Sequence, residues 1–137
     1  MKARSGFSLL EMVVVLGVIA LILGASITFF GPMQDMAAER TTEGKMSEVV
    51  AKLEAYRIDA GHYPSQEQGL QALVERPDST PRPRRWKRMF LQVPVDSWGR
   101  EYQYFNPGRR VPEIPEVVSS GVDGLFDTED DLSTQDP

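Results

Sequence analysis

Apolar positions follow two different patterns along this chain. Residues 7–34 are nearly continuous: 19 of the 28 are hydrophobic, the single charge is Glu11, and residues 12–34 give 23 positions without a charge. At ~1.5 Å per residue such a run crosses a hydrocarbon core of ~30 Å, so it predicts a transmembrane helix. Beyond residue 34 the apolar positions become periodic. Met46, Val49, Val50, Leu53, Tyr56 and Ala60 recur at helical spacing with charges between them. This predicts one helix from near Phe7 to about Ala60, its first half facing lipid or sister helices and its second half offering a stripe to a folded domain. Gly31-Pro32 interrupts it. Pro lacks a backbone donor and crowds the preceding turn, so a kink or melted turn is expected there. Gly61-His62-Tyr63-Pro64 is a helix stop, and Ser65 with Gln68 has the spacing of a capping box for a short helix carrying Leu70, Leu73 and Val74. Residues 77–88 read as a loop, residues 101–105 as a strand, and Trp98, Tyr102 and Tyr104 as core or strand residues.

Composition sharpens this division. The chain has 137 residues, 41% hydrophobic, with a formal net charge of -5, which on average resembles one ordinary domain. Once residues 1–34 are set aside, what is left suffices for one small core, which excludes a multidomain enzyme and a polytopic membrane protein. Lys2 and Arg4 precede the apolar run while Asp35, Glu39 and Arg40 follow it. The positive-inside rule then keeps the amino terminus cytoplasmic and sends the bulk outward. A secretory signal peptide fits less well, because the run is too long for an h-region and no A-x-A site follows it.

Five basic residues, Arg82, Arg84, Arg85, Lys87 and Arg88, crowd one Pro-interrupted stretch, and after Arg110 there are eight acidic residues and no basic one. A short cluster on an acidic chain argues against nucleic acid. The cluster reads either as a solvated loop or as a surface that meets a neighbouring subunit's acids. The absence of cysteine removes disulfides, thiolate metal sites and thiol nucleophiles without deciding the redox compartment. His62, the single histidine, reads as a solvated turn residue. With no nucleophile motif beside it, a membrane-anchored periplasmic enzyme has no convergent site to work with.

Glu11 is costly inside an apolar segment, at ~2.5 kcal/mol or more if ionised at the bilayer centre, and it needs either a partner or an interfacial position at the helix start. The string Gly6-Phe7-Ser8-Leu9-Leu10-Glu11 resembles the class III processing signal of type IV pilins and pseudopilins. The resemblance implies cleavage after Gly6 by a prepilin peptidase, methylation of Phe7, and pairing of the Glu11 carboxylate with the Phe7 ammonium when subunits dock, each being costly to bury alone. The run Tyr63-Pro64-x-x-Glu67-Gln68-Gly69-Leu70-x-Ala72-Leu73 and the later Pro94-x-Asp96-x-Trp98-Gly99-x-x-Tyr102-x-Tyr104 are similar to stretches of the major pseudopilins of type II secretion. Ser97 stands where that family carries Pro, which is expected to loosen the turn. Pro32 stands about one turn later than the family's Pro.

The resemblance implies a pilin-like α+β fold, with a long amino-terminal helix, transmembrane in its first half, packed on a small antiparallel sheet. It divides the chain into a leader (1–6), a membrane and filament-core helix (7–34) and a periplasmic domain (35–137). It implies a non-enzymatic structural subunit of a periplasmic filament that helps export folded proteins. Implied partners are copies of itself in a helical homopolymer, minor pseudopilins, the prepilin peptidase, the inner-membrane assembly platform and the inner membrane, with no nucleic acid. A type IV pilin or minor pseudopilin would share the same amino terminus.

Five acids crowd residues 123–131, behind Gly121 and Gly124. Hard oxygens in a glycine-containing loop suit calcium, although the EF-hand spacing is absent and a disordered acidic tail is the competing reading. The resemblance implies one calcium, with side-chain oxygens from Asp123 and Asp130, backbone carbonyls from Ser120, Leu125 and Thr128, and Asp131 as a further contributor. Asp127 and Glu129 are expected to face solvent. Relatives commonly end in an aromatic residue where this chain continues past Leu132 with Ser-Thr-Gln-Asp-Pro, so the anchoring of the tail is open.

Overall fold

The computed structural model describes residues 8–136, without the side chains of residues 27–32. The long helix, α1, spans Leu9–Ala60. It stops where the sequence places the stop: Gly61 takes a φ of 89° and its N–H donates to the Arg57 carbonyl at 2.8 Å. That single bond to the carbonyl four residues back is the left-handed cap that Gly adopts without a Cβ penalty. The melted turn expected at Gly31-Pro32 is absent, because α1 remains helical through both residues. Pro removes one ladder bond, and the helical backbone nevertheless runs on from Leu9 to Ala60.

By its contacts the chain forms two compact units, Met1–Met36 and Ala37–Pro137. In the first, Leu9–Ser26 has a mean hydropathy of 2.5 and none of it is buried within the chain. The second holds the whole core. Met46, Val49, Leu53, Tyr56 and Ala60 of α1 pack with Leu70, Leu73, Tyr102, Tyr104 and Val117. Val50 departs from the expected stripe: it is 36% exposed, since the step of ~100° per residue that buries Val49 turns Val50 onto the helix flank.

After the stop, the capping box forms as its spacing predicts. The Ser65 N–H donates to Gln68 Oε1 at 3.1 Å and the Gln68 N–H to Ser65 Oγ at 3.2 Å. It closes a single turn and not a short α-helix, because Gly69 turns away at φ 54° and only a 3-10 turn, Leu70–Leu73, follows. Residues 77–88 are a loop strapped to the core. Trp86 Nε1 donates to the Ala72 carbonyl at 2.8 Å, and the Met89 N–H donates to the Leu73 carbonyl at 2.8 Å. His62 lies in the turn and is half-buried. Its ring nitrogens lie 2.8 and 3.4 Å from the carbonyls of Tyr63 and Arg82, linking the turn to this loop.

The sheet is a three-stranded antiparallel meander of β1 (Gln103–Phe105), β2 (Glu116–Ser119) and β3 (Leu132–Ser133), in that order. The alternation of residues 101–105 puts Tyr102 and Tyr104 inside, whereas Trp98 sits half-buried in the turn before them, its ring 6.0 Å from the Arg100 guanidinium. All four residues of the central strand are buried, so β2 shows no alternation by which its sequence could be recognised. The tail needs no aromatic anchor: β3 pairs with β2, and Thr134 exchanges bonds with Val117 at 3.0 and 2.9 Å.

Candidate functional site

Two regions carry the predicted chemistry. In the first, Glu11 lies in the first turn of α1, where a carboxylate favours the helix dipole. Gly6 and Phe7 lie outside the described residues. Twelve large apolar side chains between Leu9 and Leu23 are exposed. At ~1.5–3 kcal/mol each, leaving them in water costs on the order of 20 kcal/mol or more, beyond the stability of a typical domain. This surface must be covered by lipid or by other apolar helices.

The second region is the acidic loop between β2 and β3. Two glycines shape it. Gly121 has φ 59°, and a Cβ there would fall onto the Asp130 backbone oxygen and 2.6 Å from its Oδ2. A Cβ at Gly124 would fall 2.6 Å from the Arg100 guanidinium carbon. Asp130 Oδ2 accepts from the Asp123 N–H at 2.9 Å, and Asp123 Oδ1 accepts from the Leu125 N–H at 2.8 Å. The Asp123 N–H and the Thr128 hydroxyl hold the Asp130 carboxyl below its ordinary range. Ser120 is buried, its carbonyl accepting from the Gly124 N–H at 3.1 Å.

Three oxygens from the predicted ligand residues converge on the Thr128 hydroxyl: Asp130 Oδ1 at 2.7 Å, the Leu125 carbonyl at 3.0 Å and Asp123 Oδ1 at 3.4 Å. A hydroxyl has one proton to give, so lone pairs are in excess at this point. Asp131 joins the loop through Oδ2, which accepts from the Asp127 N–H at 2.8 Å, while its buried Oδ1 has no hydrogen-bond partner. Asp127 and Glu129 are exposed. Among the described residues no three Asp, Glu or His side chains are arranged to hold a metal ion. Carboxylates alone therefore do not make a cation site here, and backbone carbonyls have to complete one.

Sequence reasoning missed the residues that brace this loop. Arg100 donates to the carbonyls of Gly121 and Val122 at 2.6 and 3.2 Å, and its N–H is held by buried Asp96 Oδ1 at 2.8 Å. Asp96 Oδ2 accepts from Ser119 at the end of β2, at 3.0 Å. Ser97, where the family carries Pro, anchors this turn to the long helix. Its N–H donates to Thr42 Oγ1 at 3.1 Å, and the hydroxyls of the two residues lie 3.0 Å apart, tying the turn to a fully buried Thr on α1. On the far side of the sheet, Glu116 receives the backbone N–H, Nε and Nη2 of Arg109, each at 3.0 Å, and the Ser133 hydroxyl at 2.7 Å. Burial pushes the Glu116 carboxyl up, but these hydrogen bonds outweigh it and bring it down to about 2.

Comparison with known proteins places these features in one family. The family described as type II secretion system, protein G, matches residues 30–135, and the prokaryotic N-terminal methylation motif matches residues 1–27. The type II secretion system core protein G of Pseudomonas aeruginosa is 31% identical, over 98% of this chain and 97% of that one. The Aeromonas hydrophila protein of the same name is 36% identical, over 96% and 92%. The crystal structure of the major pseudopilin from the type 2 secretion system of enterohaemorrhagic Escherichia coli matches with a TM-score of 0.67 at 34% identity, covering 75% of this chain and 90% of that one. A methylation motif, an exposed apolar helix and a core set against a short antiparallel sheet thus occur together, and the chain belongs to the type II secretion system protein G family of major pseudopilins.

Proposed function

We propose that the chain is the major structural subunit of a periplasmic pseudopilus, anchored in the inner membrane with its amino terminus cytoplasmic and drawn into a helical homopolymer whose growth moves folded proteins outward. The observation that carries this reading is the wholly exposed apolar run Leu9–Ser26 on the helix that also supplies the core of the folded unit. Packing against sister helices replaces lipid contacts at little cost, because both environments are apolar. On this reading residues 1–6 are removed after Gly6, Phe7 becomes a methylated terminus, and Glu11 sets axial register by pairing with it. The role is mechanical, and its partners are other copies, minor pseudopilins, the peptidase and the membrane assembly platform. The test is secretion in a deletion strain. Wild type restores it, and Glu11→Ala, although cleaved, does not. An intact amino terminus by mass, or full secretion with Glu11→Ala, would sink the reading.

A calcium ion belongs to the same proposal. Asp123, Asp130 and the carbonyls of Ser120, Leu125 and Thr128 would hold it, with Asp131 contributing; supporting this is the excess of oxygen acceptors around the Thr128 hydroxyl. Its charge would offset five acids in nine residues and couple binding to folding of this end. Calorimetric titration of residues 35–137 should show about one site that Asp123→Ala abolishes. Absence of heat and of thermal stabilisation would return the loop to an ordinary acidic segment.

A further inference from the structure

Arg100 reaches the acidic loop from a fixed base. Its own N–H donates to the buried Asp96 Oδ1 at 2.8 Å, and the Trp98 N–H donates to the same oxygen at 2.9 Å. Asp96 Oδ2 in turn holds Ser119, at the end of β2, at 3.0 Å. The Arg100 guanidinium lies beside the Trp98 ring, 6.0 Å from its centroid, and ends on the carbonyls of Gly121 and Val122. Among the described residues it forms no ion pair with a carboxylate. The two carbonyls are outside the proposed ligand set, but they lie in the chain between two of its members, Ser120 and Asp123. Arg100 therefore takes no oxygen away from a bound cation.

The Val122 carbonyl and the Asp123 N–H belong to one planar peptide unit, so fixing the direction of one fixes the other. Arg100 holds the carbonyl edge at 3.2 Å, and on the opposite edge the N–H donates to Asp130 Oδ2 at 2.9 Å. The other oxygen of Asp130, Oδ1, stays with the cluster around the Thr128 hydroxyl, at 2.7 Å. Gly121, whose carbonyl Arg100 also holds, lies so close to Asp130 that a Cβ would fall 2.6 Å from Oδ2. We propose that Arg100 is a positioning residue for the cation site: through the peptide between Val122 and Asp123 it clamps one oxygen of Asp130 and leaves the other aimed at the site. The proposal rests on the calcium reading and deepens it with a residue that touches no ion. Two effects of the guanidinium have opposite signs. Its charge repels a cation, and solvent and salt screen that repulsion around an exposed loop. Its charge-assisted hydrogen bonds act at contact and spare the loop the entropy of ordering when a cation binds, so the second effect dominates.

Full-length protein in detergent micelles is compared as wild type, Arg100→Met and Arg100→Lys. Calorimetric calcium titration gives Kd. Residue-resolved amide exchange in chelator reads the loop at Asp123 and Leu125, with the buried Val117 as reference. Both variants should weaken Kd about tenfold and speed exchange at Asp123 and Leu125 by a similar factor, leaving Val117 unchanged. Lys should fail to rescue, because a single ammonium lacks the planar fork that engages two carbonyls. Tighter calcium binding by Arg100→Met would show that repulsion dominates, and wild-type affinity in Arg100→Lys would show that charge suffices without the fork. Exchange that rises at Val117 in step with the loop would reduce Arg100 to a general brace of the folded unit. Each of these outcomes overturns the positioning role and leaves the calcium reading standing, as do variants that bind calcium like wild type. Wild type that binds no calcium overturns both.

Discussion

Glu116→Gln tests whether one buried carboxylate pins the carboxy-terminal end. Gln keeps the shape of Glu but loses the charge that four donors from Arg109 and Ser133 address. The carboxyl lies at about 2 against an ordinary value of 4.5, which corresponds to roughly 3 kcal/mol favouring the ionised folded state. Arg109 is 43% exposed, so solvent screens part of this, and about 2 kcal/mol is expected at pH 7. The sign follows from the depressed value. The contribution is full above pH 4.5, declines as pH falls, is more than half gone by about pH 3, and vanishes near and below pH 2. In a unit of about 100 residues, 2 kcal/mol lowers Tm by roughly 10 °C. Thermal and urea unfolding of residues 35–137, in chelator, should therefore show the Gln variant clearly weaker at neutral pH and the two proteins converging towards pH 3. The other acids titrate in both proteins and cancel in the difference. A variant within ~0.5 kcal/mol of wild type at pH 7, or a constant gap across the pH range, would refute the reasoning.

Ser97→Pro, the residue relatives carry, should destabilise this chain by about 1 kcal/mol or more in urea unfolding, since it strips the buried Thr42 hydroxyl of its partners; a stabilised variant would show that turn rigidity dominates. Gly121→Ala combines a positive φ with a Cβ driven onto Asp130, and should cost roughly 2 kcal/mol or more and weaken calcium binding in the same titration.

The predicted ligand residues could be named from a resemblance, and the residues concerned do gather in one loop. Arg100, which holds that loop by two carbonyls, occupies an unspecified position in its motif and carries no periodic signal. The Thr128 hydroxyl, on which oxygens of Asp123, Leu125 and Asp130 converge, likewise carries no signal in the sequence.

The features determined by the sequence alone are those set within a turn or two of chain: the apolar run of α1, its stop at Gly61, and the reciprocal bonds of Ser65 and Gln68. Hydrogen bonds from i to i+3 or i+4 and a helical period depend only on near neighbours. Tertiary structure decided what depends on distant partners. Thr42 meets Ser97 across 55 residues, and Glu116 is buried because Arg109 and Ser133 reach it. The last residues find their place by adding a strand to β2. Val50 ceases to be core and becomes the lining of an open groove. A residue's own side chain states its cost of burial, but whether that cost is met depends on which other segments the fold brings beside it.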